Sequence, residues 1–154
     1  MTFRSVLIAN RGEIAIRIAR ACSELGLRSV AVFSEDDDAS LHTRMADEAV
    51  ALTGHGVKAY LDGAQLIDVA KAHGCEAVHP GYGFLAENAG FARACEQAGL
   101  IFIGPSLDVL EGFGDKSAAR ALAERCEDPL IKGTNRSVSL TEARAFLDEH
   151  GPLM

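Results

Sequence analysis

No stretch of the 154 residues approaches 18 consecutive apolar side chains, and the opening Met1-Thr2-Phe3-Arg4-Ser5 carries no long apolar segment. A helix needs about 20 predominantly apolar residues to cross a bilayer, and a secretory signal carries an apolar segment of about 7–15. Neither a membrane span nor a signal peptide is expected, and no membrane partner. Basic residues are in the minority: 15 Lys and Arg stand against 22 Asp and Glu, a formal net charge of -7. Duplex binding rests on a basic face that neutralises phosphates, so no nucleic-acid partner is expected. Cysteine is sparse. Cys22, Cys75, Cys95 and Cys126 form no C-x-x-C pair. His73 and His79 flank Cys75, but no second cysteine stands near enough to complete a zinc pattern. The four are read as reduced, mostly buried thiols of a cytoplasmic protein, and no metal site is expected. Internal repeats and low-complexity tracts are missing too.

What remains is ordinary globular composition, 48% hydrophobic and 24% charged, enough for one domain of about 100–150 residues and a remainder. Apolar runs that read as buried strands lie at Ser5–Ala9, Ser29–Phe33, Asp47–Leu52, Ala77–His79 and Leu100–Ile103. Helical patterns separate them. Glu13–Leu25 places Ile14, Ile18, Cys22 and Leu25 on one face, a short helix starts near Leu41, and Asp62–His73 and Asn88–Ala98 follow. Gly26, Gly74 and Gly99 stand where these helices should stop. Continuous apolar strands alternating with helices predict a parallel sheet covered on both faces. The pattern changes near Gly112-Phe113-Gly114. Two helices, Asp115–Arg125 and Thr141–His150, are expected beyond it. A weak strand at Leu130–Lys132 lies between them, and a further strand is expected to open at Gly151–Met154.

In open parallel sheets, ligands bind outside the carboxyl ends of the strands. Here those ends run into Asn10-Arg11-Gly12-Glu13, His79-Pro80-Gly81-Tyr82-Gly83-Phe84 and Gly104-Pro105-Ser106. Arg11, His79 and Tyr82 are expected to meet on one rim. Gly81–Ala86 also matches G-x-G-x-x-A, but a dinucleotide site needs an acid at the end of the next strand, and Ile103-Gly104-Pro105-Ser106 offers none. Asp36-Asp37-Asp38 reads as acids favouring the positive start of a helix near Ser40. Glu13, Arg17, Arg20 and Glu24 form a charged stripe on the first helix, which reads as a solvated face or as a self-association surface. Lys116 falls in the first turn behind a capping Asp115. The helix dipole disfavours a cation there by about 0.3–1 kcal/mol, and a bound phosphate would reverse that penalty. An exposed lysine tolerated at small cost accounts for it equally well.

These residues carry a family resemblance. Leu7-Ile8-Ala9-Asn10-Arg11-Gly12-Glu13-Ile14-Ala15 and His79-Pro80-Gly81-Tyr82-Gly83-Phe84-Leu85-Ala86-Glu87-Asn88 resemble biotin carboxylases, including those of acetyl-CoA, propionyl-CoA and pyruvate carboxylases. Phe102–Ser106 and Gly114-Asp115-Lys116 complete the set in order. The resemblance implies an α/β fold: a doubly wound, mainly parallel, Rossmann-like pre-ATP-grasp domain over residues 1–111, followed by the beginning of an ATP-grasp domain over 112–154. It implies a ligase that uses MgATP to turn bicarbonate into carboxyphosphate and then carboxylates biotin. Partners would be a biotin carboxyl carrier domain, a carboxyltransferase and a second subunit in a homodimer. Lys116 would contact the nucleotide, Tyr82 and Gly83 the biotin, and Arg20 and Glu24 the dimer interface. No catalytic or metal-ligating residue is assigned, because the family's second ATP lysine, glycine-rich phosphate loop, acidic Mg²⁺ ligands and catalytic base have no counterpart in these residues. The chain is therefore expected to be a fragment that is inactive alone and binds ATP, Mg²⁺ and biotin at most weakly. Glu127-Asp128-Pro129-Leu130-Ile131-Lys132-Gly133 also departs from the family's Gly-Val-Pro segment and Pro-Gly turn. A stand-alone dimerising module, or the amino-terminal domain of another ATP-grasp ligase, are the competing readings.

Overall fold

The structure, a computed structural model, describes residues 3–134 and 136–151. The expected strand at Gly151–Met154 falls almost wholly outside them. Five strands form one sheet: β1 (Ser5–Ile8), β2 (Arg28–Phe33), β3 (Glu48–Ala51), β4 (Ala77–His79) and β5 (Ile101–Phe102). Their order is β3-β2-β1-β4-β5, and every neighbouring pair is parallel. Helices α1 (Gly12–Glu24), α2 (Gly56–Tyr60), α3 (Gly63–Ala72) and α4 (Ala89–Gln97) connect the strands, with a 3-10 turn at Leu41–Arg44 before β3. Then come α5 (Leu107–Gly114), α6 (Lys116–Arg125) and α7 (Leu140–His150). This is the doubly wound α/β fold. The chain winds outward from β1 to β3, then returns to lay β4 on the other side of β1. The strand order reverses between β1 and β4, where such sheets open a crevice at their carboxyl edge.

The inner strands β1, β2 and β4 read as continuous apolar runs because the sheet is covered there on both faces, whereas the edge strand β3 is largely exposed. Side chains alternate along a strand. Val6 and Ile8 join Ala77 against Ala15, Ile18, Ala19 and Cys22 of α1. Leu7, Val30, Val32 and Val78 point the other way, onto Leu66 and Ala70 of α3 and Phe91 and Cys95 of α4. Fully burying side chains such as Leu7 and Leu66 stabilises by about 1.5–3 kcal/mol each. Polar residues fix where the helices begin. Asp62 accepts from the Gln65 amide at 3.0 Å, Asn88 from the Phe91 amide at 2.9 Å, and Asp115 from the Ala118 amide at 2.8 Å. Each such cap contributes about 1 kcal/mol.

The chain divides into two compact units, Met1–Leu110 and Glu111–Met154. The second contains α6 and α7, neither of which buries a residue fully. Ser139 and Glu142 close a reciprocal capping box at the start of α7.

Several expectations need correction. Leu130–Lys132 forms no strand; among the described residues no strand pairs with it, and Ile131 is exposed while its carbonyl accepts from Arg120. Two helices, α2 and α5, were not anticipated. Leu25, grouped with Ile14, Ile18 and Cys22 on one face of the first helix, is instead its C-cap residue and lies exposed. The reading of the cysteines as mostly buried thiols stands: Cys22, Cys75 and Cys95 are buried, Cys126 is exposed, and all four are free.

Candidate functional site

The switch point is spanned by one side chain. β1 ends, and the Ala9 amide still donates to the His79 carbonyl at 2.9 Å. Asn10 follows, buried where the two strands part. Its Nδ2 donates to the Pro80 carbonyl at 2.7 Å and to the Tyr82 carbonyl at 3.0 Å, while its Oδ1 accepts from the Arg11 amide at 2.9 Å. One buried amide thereby satisfies backbone groups of both strand-to-helix turns. Such groups are costly to leave unpaired, by about 1–3 kcal/mol each.

The second turn is held from inside as well. The Gly81 amide donates to His79 Nδ1 at 3.0 Å. This makes Nδ1 the acceptor and leaves Nε2 to carry the proton of the neutral ring. Burial holds the His79 pKa below the usual histidine value. Gly81 and Gly83 both take positive φ, 70° and 64°, and Phe84 follows at 44°. That sequence of left-handed residues turns the chain so that its side chains alternate in destination. Phe84 stacks on Tyr60 with ring centroids 5.5 Å apart, and Leu85 is buried. Tyr82 is left outside, 64% exposed. Its hydroxyl donates to Glu13 Oε1 of α1 at 2.9 Å. Accepting that hydrogen bond, the carboxylate pushes the Tyr82 phenol above its ordinary pKa. Beside α1 a groove of about 550 Å³ opens, lined by Ile14 and Ile18 of α1, Val6 of β1, His79, Tyr82 and Ile103.

Arg11 does not share this rim with His79 and Tyr82. Its guanidinium makes a two-point contact with Asp37, Nη2 to Oδ1 at 2.9 Å and Nε to Oδ2 at 2.8 Å, and lies 5.9 Å from the Tyr60 ring centroid. Asp37 is buried and also accepts from the Tyr60 hydroxyl at 2.8 Å and from Ser40 Oγ at 3.0 Å. Of the three aspartates expected to favour the start of a helix near Ser40, two are engaged elsewhere. Asp37 is the centre of a buried polar network, and Asp36 accepts from the Gly56 amide at 2.7 Å, at the start of α2.

The remaining candidates separate. Arg20 and Glu24 are exposed on α1. Lys116 is the first residue of α6, exposed behind its Asp115 cap, and belongs to the second unit. Among the described residues no group of three His, Cys, Asp or Glu side chains could hold a metal ion. Burial pushes the Cys75 and Cys95 thiols up to about 11, so neither supplies a thiolate. No described helix is long and apolar enough to cross a membrane. Sequence reasoning had not singled out Asn10 or Glu13 as members of the site. A polar residue directly after an apolar strand, at the end that faces the switch point, was the available signal for Asn10.

Residues 2–110 match the family described as biotin carboxylase, N-terminal domain. Mitochondrial pyruvate carboxylase of Rattus norvegicus is 53% identical over 152 residues, covering 96% of this chain and 13% of the rat protein. Among solved structures, the biotin carboxylase domain of a single-chain bacterial carboxylase superposes with a TM-score of 0.89 at 61% identity, over 96% of this chain and 34% of that one. The biotin carboxylase domain of Hydrogenobacter thermophilus 2-oxoglutarate carboxylase, a dimer in complex with MgADP, ADP and bicarbonate, superposes with a TM-score of 0.93 at 42% identity, over 99% of this chain and 34% of that one. This chain thus spans only part of the proteins it matches. With the doubly wound sheet, the glycine turn at its switch point and the match over nearly all of the first unit, the chain belongs to the biotin carboxylase N-terminal domain family.

Proposed function

We propose that these residues serve as the amino-terminal part of a biotin carboxylase, a ligase of an acyl-CoA or pyruvate carboxylase system. ATP transfers its γ-phosphoryl group to bicarbonate, giving ADP and carboxyphosphate. The carboxyl group then passes to N1′ of biotin on a carrier domain, with release of phosphate. The observation that carries this reading is the Asn10-braced turn, which presents Tyr82 outward at the carboxyl edge of the sheet. Tyr82 and the Gly83 backbone are the biotin contacts. Lys116, at the positive start of α6, is a phosphate contact for the nucleotide. Arg20 and Glu24 meet a second subunit across a two-fold axis. Residues 1–111 act as the pre-ATP-grasp domain and 112–154 as the opening of the ATP-grasp domain. In this reaction Mg²⁺ would neutralise charge on the ATP phosphates. The acceptor of the carboxyl group is chosen by the carboxyltransferase partner. Four unpaired cysteines fit a reducing compartment, and we place the protein in the cytoplasm.

The test is reconstitution. Joined to the remaining two-thirds of a biotin carboxylase, these residues should support phosphate release from ATP that requires both bicarbonate and biotin. Phosphate release indifferent to either would overturn the reading.

A further inference from the structure

We propose that Glu13 is a positioning residue for the biotin-contact turn: its carboxylate holds the Tyr82 phenol against α1 and presets the ring that meets the carrier's biotin. This rests on the assignment of Tyr82 made above. Asn10 fixes the Tyr82 backbone through its carbonyl, and Gly81 and Phe84 fix the turn on either side. None of these contacts orients the ring. Tyr82 is 64% exposed and lies outside the hydrophobic core, so packing does not select its rotamer. The hydrogen bond to Glu13, from a residue 69 positions away in the chain, does. An unheld aromatic side chain loses rotamer freedom when a ligand arrives, and that loss weakens binding. Glu13 sits on an element rigid enough to prevent it, because α1 is anchored through Ala15, Ile18, Ala19 and Cys22. Arg17 and Cys22 on α1 and His79 at the end of β4 are the other titratable groups that line the groove beside Tyr82.

Glu13 has a second attribute, a negative charge in the first turn of α1, which favours the helix whatever the Tyr82 ring does. Two measurements separate the roles. The first uses this chain, whose only tyrosines are Tyr60 and Tyr82. In an ultraviolet pH titration, Glu13→Ala should lower the ionisation pH of one phenol. A Tyr82→Phe background should abolish that change. A titration unmoved by Glu13→Ala would overturn the proposal. The second uses a biotin carboxylase containing these residues. Glu13→Ala should raise KM for biotin roughly three- to tenfold, the scale of one lost orienting hydrogen bond, with kcat unchanged. Glu13→Gln should stay near the parent value, because its amide oxygen still accepts from the phenol. If Glu13→Gln were as impaired as Glu13→Ala, charge at the helix start would be the operative feature and the proposal would fall. Tyr82→Ala distinguishes this failure from failure of the underlying reading. An unchanged KM for biotin in Tyr82→Ala removes Tyr82 from the biotin site and the proposal with it. A raised KM in Tyr82→Ala with none in Glu13→Ala removes only Glu13.

Discussion

Asn10 occupies the space that a side chain on Gly81 would need: a Cβ built there would lie 2.6 Å from Asn10 Nδ2 and 3.0 Å from Asn10 Cγ. The amide can reach the Pro80 and Tyr82 carbonyls because residue 81 has no Cβ. Gly81 also has φ of 70°, where a side chain is strained whatever the space. Gly81→Ala should therefore destabilise the chain by about 1–3 kcal/mol, through left-handed strain and a displaced Asn10. Gly83→Ala shares the strain, φ 64°, but a Cβ there meets nothing within 4 Å. It should cost less, and urea denaturation of the two variants side by side checks the order.

The Arg11–Asp37 pair makes a larger prediction. Asp37→Ala removes the acceptor for Arg11, Tyr60 and Ser40 at once. Breaking a fully buried pair costs about 3–5 kcal/mol. Arg11 keeps 42% of its side chain in water, so about 2–4 kcal/mol is expected. Tyr60→Phe should cost about 1–3 kcal/mol, because the Ser34 amide, which donates to the Tyr60 hydroxyl at 3.1 Å, loses its buried partner. The double variant should lose less than the sum of the two, since both act through Asp37. Thermal or urea unfolding of all three proteins measures this directly.

These two neighbourhoods show what was legible in the sequence. Most of the strands were readable because they are apolar runs beside a helix that ends in glycine or begins with a capping residue; β3 has neither neighbour. Asn88 and Asp115 announced α4 and α6 in this way. The five residues of α2 are too few to display a helical period. Leu130–Lys132 was apolar enough for a strand, but among the described residues no strand pairs with it. Asp37 was misread because its burial is decided by Arg11, 26 positions earlier, and Tyr60, 23 positions later. Tyr82 stood out among its glycines, whereas the partners that hold it, Asn10 and Glu13, lie 72 and 69 positions away.

One buried histidine, His42, and one half-buried histidine, His79, set the response to mild acid. His42 is 1% exposed, its Nε2 lies 3.1 Å from the Val32 carbonyl, and its Nδ1 is buried with no hydrogen-bond partner. Burial lowers its pKa, and burial lowers that of His79. Both rings are then neutral in the fold while the unfolded chain binds protons from about pH 6.5 downward. The unfolded state holds more protons there, so stability falls as pH drops below about 6.5 and levels off once the folded values are passed. Asp47 acts in a lower window. The Ser29 amide and hydroxyl, at 2.7 and 2.8 Å, hold its carboxyl below the usual range. That contribution is lost only as pH falls through the lowered folded value, below about 4. His42→Gln, which keeps a donor toward Val32, should flatten the slope between about pH 6.5 and 5 and leave the acid-limb loss intact. Urea midpoints measured across pH 3–7 distinguish the two windows.

Arg20 and Glu24 lie one turn apart on the exposed side of α1, which leaves both free of the core. If they meet a second subunit, Arg20→Glu places like charges at the two-fold contact. In a biotin carboxylase containing these residues, light scattering should show a concentration-dependent dimer that this variant shifts toward monomer. A monomer at every concentration, indifferent to the substitution, would remove the pair from the interface.

The last prediction concerns how little of a nucleotide site one lysine makes. Lys116 offers an ammonium at the first position of α6, beside the amides of that helix start. A single charge-assisted contact is worth about 1.5–3 kcal/mol, whereas micromolar binding needs about 8 kcal/mol. Asp115 already takes one of the helix-start amides, that of Ala118, at 2.8 Å. Phosphoryl transfer depends on positioning and charge neutralisation by several groups at once, and a lysine with a helix start supplies two at most. These 154 residues tested alone should therefore bind a non-hydrolysable ATP analogue no more tightly than millimolar by calorimetry. They should also release no phosphate from ATP in response to bicarbonate and free biotin. Micromolar affinity abolished by Lys116→Ala would show that this unit completes a nucleotide site by itself and would overturn the assignment of the remaining contacts to other residues of a biotin carboxylase.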